Sequence, residues 1–274
     1  MSFKLGGCTH TYLFTCSLAE AVRRLASLGL RYVTLTATPP HIWPRDFDRQ
    51  QRKNLRQLLD SLDMELLGLN PTSLDLNLAS TNPGILDETV VQVKELIDLA
   101  RDLGAQVLEV TGGRVHFLLP PPYQDSWNTA KGSITECVEY AEKKGVLIAL
   151  ENVPGRFLGT AREMQRMIRE VGSDHLKIMY DVANGNLVQG EEPVTQTLKD
   201  VADYLIYVHL SDNDGAKLGH LPVGEGSIDY GVVAQTLREI GFTGVSVIET
   251  EYPEDPDRSF ADTIRALEPF GWTV

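Results

Sequence analysis

The chain has 274 residues, of which 42% are hydrophobic, and carries a formal net charge of −13 at pH 7. That length and apolar content can fill the core of one domain. The acidic balance, with no basic cluster to offset it, would repel a phosphate backbone and argues against nucleic acid as a partner.

No apolar run approaches the roughly 18 residues of a membrane helix, and the segment Met1 to Gly6 lacks the apolar stretch of a secretory signal. No membrane association is expected. Cys8, Cys16 and Cys137 are an odd number without paired spacing, so they read as packing thiols of a reducing compartment. Cytoplasmic residence is the expectation.

Strand-like apolar runs alternate with amphipathic helix-like ones along the chain. Strands are predicted at 3–8, 31–36, 64–70, 106–111, 146–151, 176–181, 204–210 and 245–249. Helices are predicted at 17–29, 48–62, 86–103, 125–144, 160–171, 194–202, 229–240 and 258–268. The spacing of Val90, Val93, Leu96, Ile97 and Ala100 gives one helix its apolar face. Gly29, Gly104, Gly145 and Gly241 each stand just before a strand, where a helix can end in a left-handed residue. The alternation specifies an α/β architecture, and by count its units fit a single (β/α)8 TIM barrel spanning residues 1–274.

The two rims differ. Helix-to-strand links such as Leu28 to Arg31 are short. Strand-to-helix stretches are long and hold Pro39-Pro40-His41-Ile42-Trp43, Asn70-Pro71-Thr72, Gly112-Gly113-Arg114-Val115-His116 and the segment from Ser211 to Gly226. Loops that shape a substrate belong on that second rim, and Trp43, His41 and the Gly112-Gly113-Arg114 turn are candidates to enclose one.

Four strand-like runs end in a metal-capable side chain: Glu151 after Ala149-Leu150, Asp181 after Met179-Tyr180, His209 after Tyr207-Val208, and Glu249 after Val247-Ile248. Separations of 30, 28 and 40 residues place each about one β/α unit after the last. Parallel strands of one barrel would bring all four to a common face. Three carboxylates and an imidazole suit one divalent ion, Mn²⁺, Mg²⁺, Co²⁺ or Zn²⁺, and show no thiolate preference. Any one such acid is more simply a helix cap or a surface charge; four at successive strand ends are a pattern.

With those residues in view, the chain resembles the xylose-isomerase-like TIM-barrel superfamily of sugar isomerases, epimerases and the endonuclease IV branch. The resemblance covers nearly the whole chain. It is strongest at Leu150-Glu151-Asn152-Val153-Pro154-Gly155, Tyr180-Asp181-Val182-Ala183-Asn184, Val208-His209-Leu210-Ser211-Asp212-Asn213, His220-Leu221-Pro222-Val223-Gly224-Glu225-Gly226 and Ile248-Glu249. It implies that Glu151, Asp181, His209 and Glu249 hold one ion at the barrel mouth. It further implies that Glu151 and Glu249 flank the substrate and move protons, making them the catalytic pair. The chemistry that follows is proton transfer next to a carbonyl, with an enediolate between removal and return of the proton. A homo-oligomer is also in keeping with the resemblance.

The motifs depart from two branches. Ketohexose 3-epimerases of this kind carry His three residues after the Asp ligand, where this chain has Asn184, and Arg six residues after the His ligand, where it has Gly215. Asn can bond a hydroxyl but cannot carry a proton at neutral pH. The endonuclease site needs Asp two residues before the His of the His220 motif, where this chain has Leu218.

Candidate substrate contacts are His10, Asn152, Arg156, Asn184 and His220. Arg156 offers a planar fork to a carboxylate or phosphate, and Asn152 can orient its neighbour Glu151. His10 ends the first strand segment, and Glu109 lies near the end of the fourth. Gly224-Glu225-Gly226 lacks the strand-turn-helix setting of a dinucleotide loop. The reading favoured is a metal-dependent isomerase or epimerase of a small carbohydrate-like substrate, a sugar or sugar-derived keto compound. The alternatives are a metal-dependent lyase, dehydrating or decarboxylating a keto sugar, cyclitol or ketoacid, and a non-catalytic sugar-binding protein.

Overall fold

The computed structural model describes residues 2–71, 75–187 and 193–274, so Thr72 of the third-strand loop lies outside the described residues. Eight parallel strands are β1 (Phe3–Cys8), β2 (Tyr32–Thr36), β3 (Glu65–Asn70), β4 (Val107–Val110), β5 (Leu147–Glu151), β6 (Leu176–Asp181), β7 (Leu205–Leu210) and β8 (Val245–Ile248). They pair in chain order, and β1 pairs with both β2 and β8, which closes the sheet into a barrel. A ninth strand, β9 (Trp272–Thr273), joins the start of β1 with Phe3 opposite Trp272. This short addition follows the last sequence-predicted helix. Trp272 is fully buried beside Phe3 and Tyr230, so β9 packs into the layer between the sheet and its helices rather than into the barrel's interior.

The surrounding helices are α1 (Leu18–Ser27), α2 (Arg49–Ser61), α3 (Pro83–Leu103), α4 (Tyr123–Lys144), α5 (Ala161–Val171), α6 (Val182–Gly185), α7 (Val194–Val201), α8 (Tyr230–Glu239) and α9 (Pro256–Leu267). Their starts are written locally. Ser17 caps α1, and Asp48 with Gln51 and Thr160 with Glu163 form reciprocal capping boxes on α2 and α5. Val90, Val93, Leu96, Ile97 and Ala100 form part of the buried face of α3; a fully buried aliphatic side chain of this size contributes about 1.5–3 kcal/mol. Gly29, Gly104, Gly145 and Gly241 have φ of +87°, +75°, +70° and +68°, the left-handed turn that sends the chain from helix back into strand.

Alternation along the strands builds the interior. Ala149, Met179, Tyr207 and Val247 each stand two residues before one of the four candidate ligands, and all four belong to the buried cluster inside the barrel, with Cys8, Val107 and Val245. Because side chains two apart share a face, Glu151, Asp181, His209 and Glu249 point into the barrel one layer higher. The ladder places Asp181 opposite His209, and the Glu249 N–H donates to Leu210 O at 3.1 Å. Both register and pleat therefore aim the four at one point.

Candidate metal centre

Glu151, Asp181, His209 and Glu249 each offer an atom to a cluster in which all four atoms lie within 4.8 Å of one another. Asp181, His209 and Glu249 are buried and Glu151 is half-buried, open on the cavity side. Nδ1 of His209 lies 2.8 Å from Glu249 Oε2 and 4.0 Å from Asp181 Oδ2, so that ring nitrogen faces the cluster. Asp181 Oδ2 is buried without a hydrogen-bond partner among the described residues. A buried carboxylate oxygen left without a donor is costly unless a cation meets it. The set of three carboxylates, one imidazole and an orphaned oxygen fits a divalent ion.

Electrostatics agree with that fit. Burial, then the Glu249 charge, raises Glu151 well above the carboxylate range, and burial likewise raises Asp181. Burial would also raise Glu249, but His209 and His10 outweigh it and hold that carboxylate well below its usual range. Burial would lower His209, yet Glu249 and Glu109 lift it to about 10. The metal-free cluster is thus short of positive charge and keeps a proton on His209 in its place.

The elements around the cluster fix each side chain. The Asn152 amide spans the gap between β5 and β6: its Nδ2 donates to Asp181 O at 2.9 Å, and its Oδ1 accepts from the Asp181 N–H at 2.8 Å. It therefore sets the main chain of a ligand on the next strand. The Asn184 N–H, in α6, donates to Asp181 Oδ1 at 2.6 Å, while its Nδ2 lies 3.4 Å from Glu151 Oε1. Helix α6 uses Asp181 as its N-cap, so one oxygen serves the cap and leaves the other to the cluster. His220 Nδ1 lies 2.9 Å from Ser211 Oγ and 3.7 Å from Asp181 Oδ2. His10 Nδ1 approaches Glu249 Oε1 at 3.4 Å.

A cavity of about 360 Å³ opens above the cluster. Glu151, Glu249, His10, Asn184, His220 and Arg156 all line it, so four of the five expected substrate contacts reach the cavity; the fifth, Asn152, is 1% exposed and does not line it, because both ends of its amide are taken by the Asp181 main chain. Nη1 of Arg156 is buried with no hydrogen-bond partner among the described residues. A larger cavity, about 590 Å³, opens at the opposite rim, where Arg31 pairs with Asp63 at 3.1 Å and Arg56 with Asp60 at 3.8 Å. Chemistry in a β/α barrel sits at the C-terminal ends of its strands, which selects the smaller cavity.

Other loop candidates sit elsewhere. His41 is buried with Nε2 2.9 Å from Cys16 O, in a loop over α1 and α2, and Trp43 packs against the core. The turn Gly112-Gly113-Arg114 packs on neighbouring loops: the Phe157 N–H donates to Gly113 O, and the Arg114 N–H to Asn77 Oδ1. Glu109 lies wholly inside the barrel, beneath the cluster.

Two residues that the sequence places only in a loop and a motif make contacts it does not assign. Asn70, at the end of β3, donates from Nδ2 to Glu249 Oε1 at 2.8 Å; its signal was a polar residue ending an apolar strand, as in the four ligands. Asp212 is buried and accepts from the N–H groups of Asn213, Gly224 and Ile228 at 2.9, 2.9 and 3.1 Å. With the bridge between Asp212 and Leu221, it folds the seventh loop back so that His220 faces Asp181.

Among known proteins, the family model described as xylose isomerase-like TIM barrel matches residues 22–270. An uncharacterised protein of Methanocaldococcus jannaschii is 31% identical over 211 residues, 76% of this chain and 71% of that one. The fructoselysine 3-epimerase of Shigella flexneri is 25% identical over 274 aligned residues, 94% of this chain and 98% of that one. A crystal structure of a D-tagatose 3-epimerase-like protein superposes with a TM-score of 0.84 at 25% identity, covering 98% of both chains.

Proposed function

The chain belongs to the xylose isomerase-like TIM-barrel family, and from that premise we propose that it is a divalent-metal-dependent isomerase or epimerase of a sugar or sugar-derived keto compound. The observation that carries this reading is the convergence of Glu151, Asp181, His209 and Glu249 within 4.8 Å beneath a cavity. An ion held there, Mn²⁺, Mg²⁺, Co²⁺ or Zn²⁺, would supply Lewis acidity beside adjacent substrate oxygens.

The residues do the rest. Glu151 and Glu249 stand at the ends of β5 and β8, the outer two of the four adjacent strands that carry the cluster, and both line the cavity, so one would remove a proton next to the substrate carbonyl and the other return one to the enediolate. His10, Asn184 and His220 offer hydrogen bonds to hydroxyls, and Asn152 keeps Asp181 in place. Arg156 is the one permanent cation among the described lining residues; its buried, unpartnered N–H suits an anionic or strongly polar end of the substrate. The likeness to a fructoselysine 3-epimerase supports the epimerase branch over dehydration or decarboxylation.

The test is to incubate Mn²⁺-loaded protein with ketoses, inososes and keto acids in D₂O. Deuterium uptake next to the carbonyl, with an isobaric product otherwise, is the expected result. Loss of water or carbon dioxide would assign the lyase branch, and tight binding with no exchange over the whole panel would leave a sugar-binding protein.

A further inference from the structure

Beneath the cluster, a buried carboxylate faces the back of the histidine. Glu109 is 1% exposed, and its Oε1 accepts a hydrogen bond from the Tyr207 hydroxyl. Its other oxygen, Oε2, has no hydrogen-bond partner among the described residues and lies 3.8 Å from His209 Nε2. That nitrogen is likewise buried without a partner. Two orphaned polar atoms, an acceptor and a ring nitrogen, thus face each other across a gap that a shift of less than about 1 Å would close to a normal hydrogen bond.

We propose that Glu109, itself held by Tyr207, is a positioning residue that fixes a proton on His209 Nε2 and so presents the Nδ1 lone pair to the ion site. The inference rests on the four-residue ion site proposed above. Neutral imidazole carries one N–H and one lone pair, and the acceptor facing a nitrogen favours its N–H. Glu249, 2.8 Å from Nδ1, is itself a member of the ion site, so with both turned to the cation only Nε2 is left to carry the N–H, and Glu109 is the acceptor that faces it. With Oε1 already accepting from the Tyr207 hydroxyl, Glu109 Oε2 offers its lone pairs to an N–H at Nε2. Tyr207 and His209 are two apart on β7 and share its inward face, with ring centroids 5.8 Å apart. The Tyr207 hydroxyl reaches across to β4 and occupies one Glu109 oxygen, which leaves the second for the ring. A carboxylate sealed inside a barrel would otherwise be costly, and a histidine that must offer Nδ1 to a cation gives it a partner.

Glu109→Gln tests this without changing size. The glutamine carbonyl can still accept from Tyr207, which turns its NH₂ toward His209 Nε2 and favours the opposite tautomer. Outer hydrogen-bond partners of metal-binding histidines typically contribute 10- to 100-fold in metal affinity. Mn²⁺ titration by calorimetry should therefore show about 10- to 100-fold weaker binding in Glu109→Gln. Glu109→Asp, which keeps the acceptor, should recover part of that loss. In Zn²⁺-loaded protein, ¹⁵N NMR should show His209 protonated at Nε2 in the wild type. Tyr207→Phe is the second variant should Glu109→Gln fail to fold, and it should weaken Mn²⁺ binding in the same direction. Wild-type affinity in Glu109→Gln, or in Tyr207→Phe if that variant is the one measured, would overturn the positioning role alone. A wild-type chain that binds no Mn²⁺ would overturn the ion site and this role together.

Discussion

His209 Nδ1 stands 2.8 Å from Glu249 Oε2, on side chains that are 0% and 5% exposed. Burial opposes the charge of each, and each overcomes it in the other: Glu249 helps lift the imidazole to about 10, and His209 helps hold the carboxylate well below its usual range. The metal-free mouth of the barrel thus keeps a proton where a cation would bind.

Metal binding must therefore release that proton. Below about pH 10 His209 is protonated in the metal-free chain, so Mn²⁺ affinity should rise by at least about tenfold for each unit of pH between roughly 6 and 8, and more steeply where Glu151, which burial also raises, gives up a proton as well. Calorimetry in buffers of different ionisation enthalpy would report the proton directly, and a flat affinity over that range would contradict the charge pair. The stability consequence has a definite sign. With its folded value raised above the 6.5 of an unperturbed histidine, His209 stabilises the metal-free fold fully below that pH, and the contribution is lost as pH rises through about 10.

Replacing either glutamate by its amide should remove a proton carrier. Glu151→Gln and Glu249→Gln should each lower turnover by about 10²- to 10⁴-fold, the range of general acid and base catalysis. Full activity in both variants, with metal retained, would sink the two-glutamate reading.

Asn152→Ala would strip two partners from the buried Asp181 main chain. A buried polar group left unsatisfied costs about 1–3 kcal/mol, so a loss of about 2–4 kcal/mol is expected, with weaker Mn²⁺ binding. Thermal melting of the metal-free protein measures the first and calorimetry the second. An unchanged melting temperature would show that the clamp contributes nothing.

Gly226 packs where a side chain does not fit. A Cβ there would stand 2.6 Å from Asn213 N, beside the Asp212 carboxylate that organises the seventh loop. Gly226→Ala should displace that loop, cost about 1–3 kcal/mol as overpacking does, and raise KM through His220. Steady-state kinetics with a melting curve would check it; wild-type values in both would refute the packing argument.

Arg156→Ala should raise KM far more than it lowers kcat, because a residue on the cavity wall binds ground state and transition state alike. A loss of about tenfold or more in kcat/KM is expected from one charge-assisted hydrogen bond. Arg156→Lys should recover only part of it, since the ammonium lacks the planar fork. An equal fall in kcat with KM unchanged would place Arg156 in the chemical step instead.

The barrel and the convergence of the four candidate ligand residues were legible in the residues themselves. Strand and helix periods, caps and turn glycines are local signals, and a two-residue alternation states which side chains share a face of their own strand. Ala149 to Glu151 and Tyr207 to His209 could be read that way. What stands across the barrel could not: Glu109 and Tyr207 are 98 residues apart, and Asn70 and Glu249 are 179 apart. Those meetings follow from the closure of β1 on β8 and from the register of each ladder, which the pattern along one strand does not encode. The same holds for His41, whose loop position is compatible with a substrate until packing ties its ring to Cys16 O. The sequence by itself determined which residues could hold an ion; only the folded chain decided that Asn152 clamps Asp181, that Asp212 folds the loop bearing His220, and that Glu109 backs His209, because those contacts exist only once neighbouring strands are in register, the seventh loop has closed on itself and separate strands share one interior.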